Sequence, residues 1–438
     1  MISIIIPVYN GQETIAECLR AVSGSDYHGY ECIVVDDGSK DNTLDIVRNF
    51  PCKIIQVADG PLGPANARNY GVEQAKGDII LFLDADVIIK LDTLSRIVKE
   101  FEEHSDVAAL FGSYDETPAS LNFVSQYKNL VHHFVHQQGH ENATSFWSGC
   151  GAIRREIFVK MGGFDAKQFP RPSIEDIELG YRLTEAGYRI VLLKNVQVTH
   201  LKAWSLFGLL KTDIFYRAVP WTVLIVRHGR VLNDLNLSIS QRISTVLLLG
   251  IMLYIGIFAS IPNIILLFLV TGLFLSLMNI WHWSPKNTDF QMTSKGEILT
   301  YLLIGAVNLV ALYESESQLI FPLTILLPFL LVGRIINVNR RLRVLLFSAI
   351  AILIGLEFTI LFIHMPINIV LPLLVILLVI LLINNRLYIF LVRKHGFIFA
   401  LGALPLQLLY YLYSVISFVF TAGIFGGNDK PRIKSSRS

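Results

Sequence analysis

Two acidic segments stand where strands would end, Val34-Val35-Asp36-Asp37-Gly38-Ser39 and Leu81-Phe82-Leu83-Asp84-Ala85-Asp86. In an extended chain residues i and i+2 point the same way, so Asp84 and Asp86 are expected to present two carboxylates to one point. That suits a hard divalent cation such as Mn2+ or Mg2+, which takes oxygen ligands and leaves other positions to water and phosphate. A plainer reading also stands: strand-end Asp residues start turns or cap the next helix, and Asp36 to Asp41 precede Asn42. Further along run Trp147-Ser148-Gly149-Cys150-Gly151-Ala152-Ile153-Arg154 and Ser173-Ile174-Glu175-Asp176-Ile177-Glu178. The second opens a helix near Ile174 with Leu179, Leu183 and Ala186 as its buried stripe. Asp176 again has two readings. With Ser173 it fits a capping box; as a carboxylate kept ionised at a helix N-terminus it is available as a general base.

The surrounding elements explain how such groups meet. Apolar runs of strand length at Ile2–Val8, 31–35, 53–57 and 78–83 alternate with helix-period stretches at 13–22, 42–50, 64–75 and 91–102. This alternation predicts an α/β domain over residues 1–200 with a mostly parallel, Rossmann-like sheet, whose ligands bind beyond the carboxyl ends of the strands. The acidic segments fall at those ends.

Six segments, taken in order, resemble the family 2 glycosyltransferases with the GT-A fold: Ser3-Ile4-Ile5-Ile6-Pro7-Val8-Tyr9-Asn10, Val35-Asp36-Asp37-Gly38-Ser39, Ala65-Asn66-Ala67-Arg68-Asn69, Asp84-Ala85-Asp86, Gly149-Cys150-Gly151-Ala152 and Glu175-Asp176. The resemblance covers roughly the first half of the chain. It implies that Pro7 and Asp36 line a nucleotide-sugar pocket, with Asp37, Asp84 and Arg68 nearby. It further implies that Asp86, beside Asp84, holds Mn2+ or Mg2+ on the donor diphosphate. Gly149, Cys150 and Gly151 would floor an acceptor site, and Asp176, with Glu175 beside it, would be the catalytic carboxylate. One metal and one base imply single displacement with inversion. Arg68 has a competing reading as a solvated arginine on a helix begun by Pro64. His200, ending Gln197-Val198-Thr199-His200, faces the phosphates or packs under the next helix, and packing is favoured. No QxxRW segment of the family's processive synthases is found; the nearest basic-aromatic stretch is Tyr216-Arg217-Ala218-Val219-Pro220-Trp221.

Composition separates the chain into two halves. Of 438 residues 53% are hydrophobic and 16% charged, with a mean hydropathy of +0.52, which argues against a purely soluble protein. Residues 1–237 carry 23 Lys+Arg and 29 Asp+Glu, and the remainder 14 and 6, so nets of −6 and +8 give the overall +2. No basic face belongs to the first half, which excludes nucleic acid as a partner. Cys18, Cys32, Cys52 and Cys150 lie in that half without metal-ligand spacing and read as reduced thiols. The start of the sequence lacks a signal-peptide pattern, so this half is expected in the cytosol.

Residues 201–240 form a transition, in which Trp204, Phe207, Leu210 and Ile214 share a helical face beside Lys202 and Lys211. Both an interfacial helix and a core-packing helix fit. Apolar stretches at 243–260, 262–281, 298–313, 318–336, 344–363, 367–383 and 396–425 approach the ~20 residues that span a bilayer. They predict an α-helical transmembrane bundle of about 6–8 helices over 241–425, followed by a basic tail, 426–438. The basic loops are expected on the cytosolic side, and residues 396–425 to turn back near Gly402 to Pro405 or else to leave the tail outside. A repeat at an offset of 100 pairs Phe290, Lys295 and Leu309 with Phe390, His395 and Leu409. Glu357 is an intramembrane functional candidate.

The leading expectation is thus a membrane-bound inverting glycosyltransferase, multi-pass and contacting membrane lipids, with a lipid-linked or glycan acceptor. A polyprenyl-phosphate glycosyltransferase, whose acceptor is already ionised, is one alternative; a non-catalytic nucleotide-sugar sensor on a transporter or scaffold is another.

Overall fold

The computed structural model describes residues 1–57, 60–229, 235–258 and 367–425. The chain divides into two compact units, one of Met1–Ser120, Ser125–Ile239 and Ile416–Ser438, the other of Leu121–Val124 and Ser240–Val415.

The first unit is a mixed α/β domain. In chain order it contains β1 (Ile2–Val8), α1 (Ile15–Ser23), β2 (Tyr30–Asp36), α2 (Thr43–Val47), β3 (Lys53–Gln56), α3 (Pro64–Glu73), β4 (Ile79–Leu83), β5 (Val87–Ile88), α4 (Thr93–Glu103) and β6 (Val107–Tyr114). Then follow α5 (Phe123–Gln138), which begins in the other unit, β7 (Asn142–Ala143), β8 (Cys150–Arg154), α6 (Arg155–Lys160), α7 (Glu175–Glu185) and β9 (Arg189–His200). The sheet order is β3-β2-β1-β4-β8-β6-β9-β5, with β7 on β9. β3, β2, β1 and β4 run parallel, as the alternating pattern predicts, while β8 enters antiparallel between β4 and β6.

The pleat of β1 explains how both faces are covered. Ile2, Ile4 and Ile6 pack with Ile15 and Leu19 of α1 and Ile97 and Phe101 of α4. Ile5, pointing the other way, joins Val35, Phe82, Val72 of α3 and Leu179 and Leu183 of α7. Strands buried on both faces read as continuous aliphatic runs, which is why Ile4-Ile5-Ile6 has no alternation. Each fully buried Ile or Leu contributes about 1.5–3 kcal/mol.

Beyond β9 come α8 (Leu206–Lys211), a π-helical turn over Thr212–Ala218 and α9 (Val219–His228). The expected shared face does not form. Trp204 is buried, donating its backbone N–H to Ser125 Oγ, while Phe207 and Phe215 are exposed. Trp204 precedes α8, outside any helix, and the π-helical turn that follows α8 takes Ile214 out of the 3.6-residue register, so the four residues do not share one helix.

The second unit contains α10 (Ile239–Phe258), which starts in the first, the helices Ile367–Ile383 and Asn385–His395, and most of the helix Phe397–Phe425. Among the described residues one helix, Phe397–Ile424, is long and apolar enough to cross a membrane. The pair Leu371–Ile383 and Asn385–His395 passes only when taken together, bent by 72°. The turn expected near Gly402 to Pro405 is absent: Pro405 lies inside a continuous helix. The stretches 262–281, 298–313, 318–336 and 344–363, Glu357 and the first half of the repeat lie outside the described residues.

Candidate active site

The site is assembled at the carboxyl edge of β1, β2 and β4. Asp36 ends β2 and is buried; both its oxygens accept from Ser39 N at 3.3 Å. Asp37 is also buried, and its carboxylate accepts from Leu62 N (2.8 Å) and Gly63 N (2.7 Å). These bonds fix the start of α3, where Gly63 has φ +93° and a Cβ would lie 2.5 Å from Pro170 O. Only glycine suits that position. Asp37 is thus a clamp on the loop before α3, with both oxygens engaged. Pro7 sits in β1 opposite Val35.

α3 in turn places Arg68. The arginine is buried rather than solvated: Nη2 donates to Asp84 Oδ1 (2.7 Å) and Nη1 to Glu175 Oε1 (2.8 Å), with Phe164 under the guanidinium. Both terminal nitrogens are taken by protein carboxylates, so Arg68 joins the end of β4 to the start of α7. Burial pushes the Asp84 and Glu175 carboxyls above the ordinary carboxylate range despite Arg68, and the neighbouring Asp176 charge adds to the rise. Glu175 has its other oxygen on Ser173 N (3.0 Å). Glu175 is thus paired with a cation on one oxygen and with a backbone donor on the other.

The capping box does not form. The residue before α7 is Ile174, Ser173 Oγ donates to Tyr216 O (2.9 Å), and Asp176 Oδ2 accepts from Ser148 N (2.9 Å) and Ser148 Oγ (3.0 Å). Asp176 Oδ1 accepts from Ile177 N at 2.8 Å. Its carboxylate therefore meets neutral donors only, half-buried at a helix N-terminus. The Tyr216–Trp221 stretch supports this end of α7 from behind. Arg217 pairs with Asp213, which also holds Lys128, and Trp221 packs on the Phe169, Ile174, Tyr181 and Leu224 cluster.

Asp84 and Asp86 do not converge as an extended pair would. Val87 N bonds Asp84 O (3.1 Å), so Asp84 to Val87 is a turn, and the two carboxylates have different partners. Asp86 Oδ2 lies 3.5 Å from His200 Nε2. Burial would raise this carboxyl, but the His200 hydrogen bond and the His200 and Lys202 charges outweigh it and hold it below the ordinary range. His200 therefore belongs to the site instead of packing under the following helix; it stacks on Tyr114 at 4.5 Å. Among the described residues no group of three or more His, Cys, Asp or Glu side chains could hold a metal. Asp86 with His200 is a two-donor set, which fits an ion that takes most of its ligands from water and phosphate.

At the start of β8 two glycines make room, Gly149 just before the strand and Gly151 within it. A Cβ on Gly149 would lie 2.4 Å from the Trp147 ring, and one on Gly151 would lie 2.2 Å from Trp147 O. Their absence lets Trp147 fold back against Tyr114 (4.7 Å) and His136 (5.3 Å). Cys150 is buried, and burial pushes its thiol up to about 12. It packs within the sheet and offers no nucleophile. Ser148, Tyr114 and Trp147 are the site residues that motif reading left without a role. Ser148 and Trp147 stood inside a quoted motif, but nothing in the spacing tied Ser148 to Asp176.

Residues 3–162 match the protein-family model described as Glycosyl transferase family 2. Among curated relatives, Glycosyltransferase AglE of Haloferax volcanii is 45% identical over 91 residues, 19% of this chain and 30% of that protein. Poly(ribitol-phosphate) beta-N-acetylglucosaminyltransferase TarS of Staphylococcus aureus is 37% identical over 112 residues, 24% of this chain and 20% of that protein. The chain thus matches less than a third of the length of either. Among solved structures, the mannosyltransferase PcManGT from Pyrobaculum calidifontis, in complex with GDP-Man and Mn2+, aligns with a TM-score of 0.39 at 22% identity, covering 52% of this chain and 62% of that one.

Proposed function

We propose that this chain is a membrane-anchored, inverting glycosyltransferase that moves a sugar from a nucleotide-sugar donor to the hydroxyl of a membrane-associated acceptor, lipid-linked or glycan. The observation that carries this reading is the setting of Asp176. Asp84 and Glu175 are tied to Arg68, Asp86 to His200, and Asp36 and Asp37 clamp their own loops, whereas Asp176 stands half-buried at the N-terminus of α7 and accepts from Ser148 and Ile177, which carry no charge.

The donor nucleotide lies against the strand ends, along Pro7 and Asp36. A Mn2+ or Mg2+ ion held by Asp86 and His200 would supply Lewis acidity to the leaving diphosphate. Arg68 keeps Asp84 and Glu175 in place and fixes the distance between β4 and α7, so the donor and base sides of the site stay in register. As the acceptor oxygen bonds to the anomeric carbon and the carbon–diphosphate bond breaks, the hydroxyl proton passes to Asp176. Ser148 holds that carboxylate in position, and Trp147, backed by the buried Tyr114, offers an aromatic surface to an acceptor sugar.

Membrane anchoring rests on the helix Phe397–Ile424 and the apolar composition of residues 241–425. Incubating membranes that contain the full chain with a panel of radiolabelled nucleotide sugars tests the reading. Label entering an organic-solvent extract or a membrane-retained glycan supports it. Tight nucleotide-sugar binding with no transfer to any fraction contradicts it and favours a sensor.

A further inference from the structure

The helix Asn385–His395 lies between two strongly apolar helices and is set at 72° to the first. The corner is built rather than loose. Asn384 is buried, and its Nδ2 donates to Ser244 Oγ of α10 and to Ile380 O, both at 2.8 Å. Leu387 and Leu391, one turn apart, are buried, so this helix has a fixed inner face.

Its outer face is mixed. Arg386, Arg393 and Lys394 are exposed, and so are Ile389 and Val392. Ile389 is three residues from Arg386 and four from Arg393, so cations and apolar side chains share one surface. Water disfavours the isoleucine and hydrocarbon disfavours the arginines, but the boundary between headgroups and acyl chains accommodates both, because long cationic side chains extend toward phosphate while their stems stay apolar. Charge is one-sided as well: no Asp or Glu occurs anywhere from Ile367 to Phe425.

We propose that the helix Asn385–His395 lies in the plane of the membrane interface and that Arg386, Arg393 and Lys394 on it bind the headgroup phosphates of anionic phospholipids. The 72° corner is what a chain needs to leave the hydrocarbon along one apolar helix, run about 16 Å along the surface and return along another. Cations at the carboxyl end of the helix also meet its negative dipole end, which orients them there. This extends the membrane anchoring proposed above and does not depend on catalysis, so its readout is lipid contact and not turnover.

The test uses the full chain reconstituted in vesicles of phosphatidylcholine with phosphatidylglycerol, carrying Cys52→Ser and a bimane fluorophore on Ile389→Cys. Nitroxide quenchers are attached to the headgroup of one lipid or the other at equal mole fraction. Both quenchers should dim the fluorophore, and the phosphatidylglycerol quencher should be about threefold more effective. In the triple variant Arg386→Gln, Arg393→Gln, Lys394→Gln both should still quench, now equally, which shows the helix seated but without preference. Absence of quenching by either lipid, equal quenching in the parent, or a preference that survives neutralisation would each overturn the proposal.

Discussion

Replacing Arg68 with Met probes the tie on which the site geometry depends. The guanidinium side chain is 5% exposed and holds Asp84 at 2.7 Å and Glu175, itself 6% exposed, at 2.8 Å. Met keeps much of the volume but leaves both carboxylates without a counter-ion. Removing one partner of a buried ion pair costs about 3–5 kcal/mol. At about 2–4 °C per kcal/mol for a domain of this size, Tm of the first unit should fall by about 6–20 °C at pH 7.5. The sign of the pH dependence follows from burial. Both carboxyls already titrate above the ordinary range and rise further without the arginine. A carboxylate raised in the folded state destabilises fully above its folded pKa, and that penalty is relieved as pH falls through it. The gap between variant and parent should therefore narrow from pH 7.5 toward pH 5. Thermal melting of the full chain in detergent, followed by near-UV circular dichroism, measures it. Arg68→Lys should fall between, since one ammonium cannot fork to two carboxylates. A loss under about 1 kcal/mol, or a gap that does not change with pH, would refute the reasoning.

Three further outcomes are expected. Chelator should abolish transfer and added Mn2+ or Mg2+ restore it, whereas Asp86→Ala should stay inactive at every metal concentration; full chelator resistance would remove the metal from the reaction. The depressed Asp86 carboxyl contributes stability that is present above the ordinary carboxylate range and lost as pH falls through its folded value, so His200→Phe should move acid unfolding to higher pH, read by circular dichroism. Ser148→Ala removes one of two donors to Asp176 Oδ2, and with it a restraint on where the carboxylate stands, and should lower kcat by about 10–100-fold with donor KM nearly unchanged, because a misplaced catalytic group costs up to about 10²-fold.

The parallel half of the sheet was legible because Ile2–Val8 and its neighbours are aliphatic runs separated by helical periods. The acidic strand ends follow from that register. What spacing could not supply is the partner of each charge. Asp84 and Asp86 are two residues apart, yet a turn separates them and gives one to Arg68 and the other to His200. Ser173 has the sequence of a cap, but tertiary bonds outcompete the local one: Ser173 turns to Tyr216 and Asp176 to Ser148, 28 residues away. Trp204 turned inward for a related reason, since the periodicity that placed it assumed a helix where the chain is still irregular before α8, and its backbone bonds Ser125. Long-range partners fix these side chains, and a single sequence carries little trace of them.

The most direct measurement is made on Asp176→Asn in the full chain. An acceptor hydroxyl cannot attack without losing its proton, so loss of the base should lower transfer by about 10²–10⁴-fold. Asparagine keeps the shape, and its single amide oxygen can still accept from Ser148, while its NH2 replaces the oxygen that faces Ile177 N; donor binding rests on other residues. Donor affinity, measured by equilibrium binding, should therefore stay within about twofold of the parent while transfer collapses. Transfer near the parent rate would contradict the assignment of Asp176 as the base and point to an acceptor that arrives already ionised.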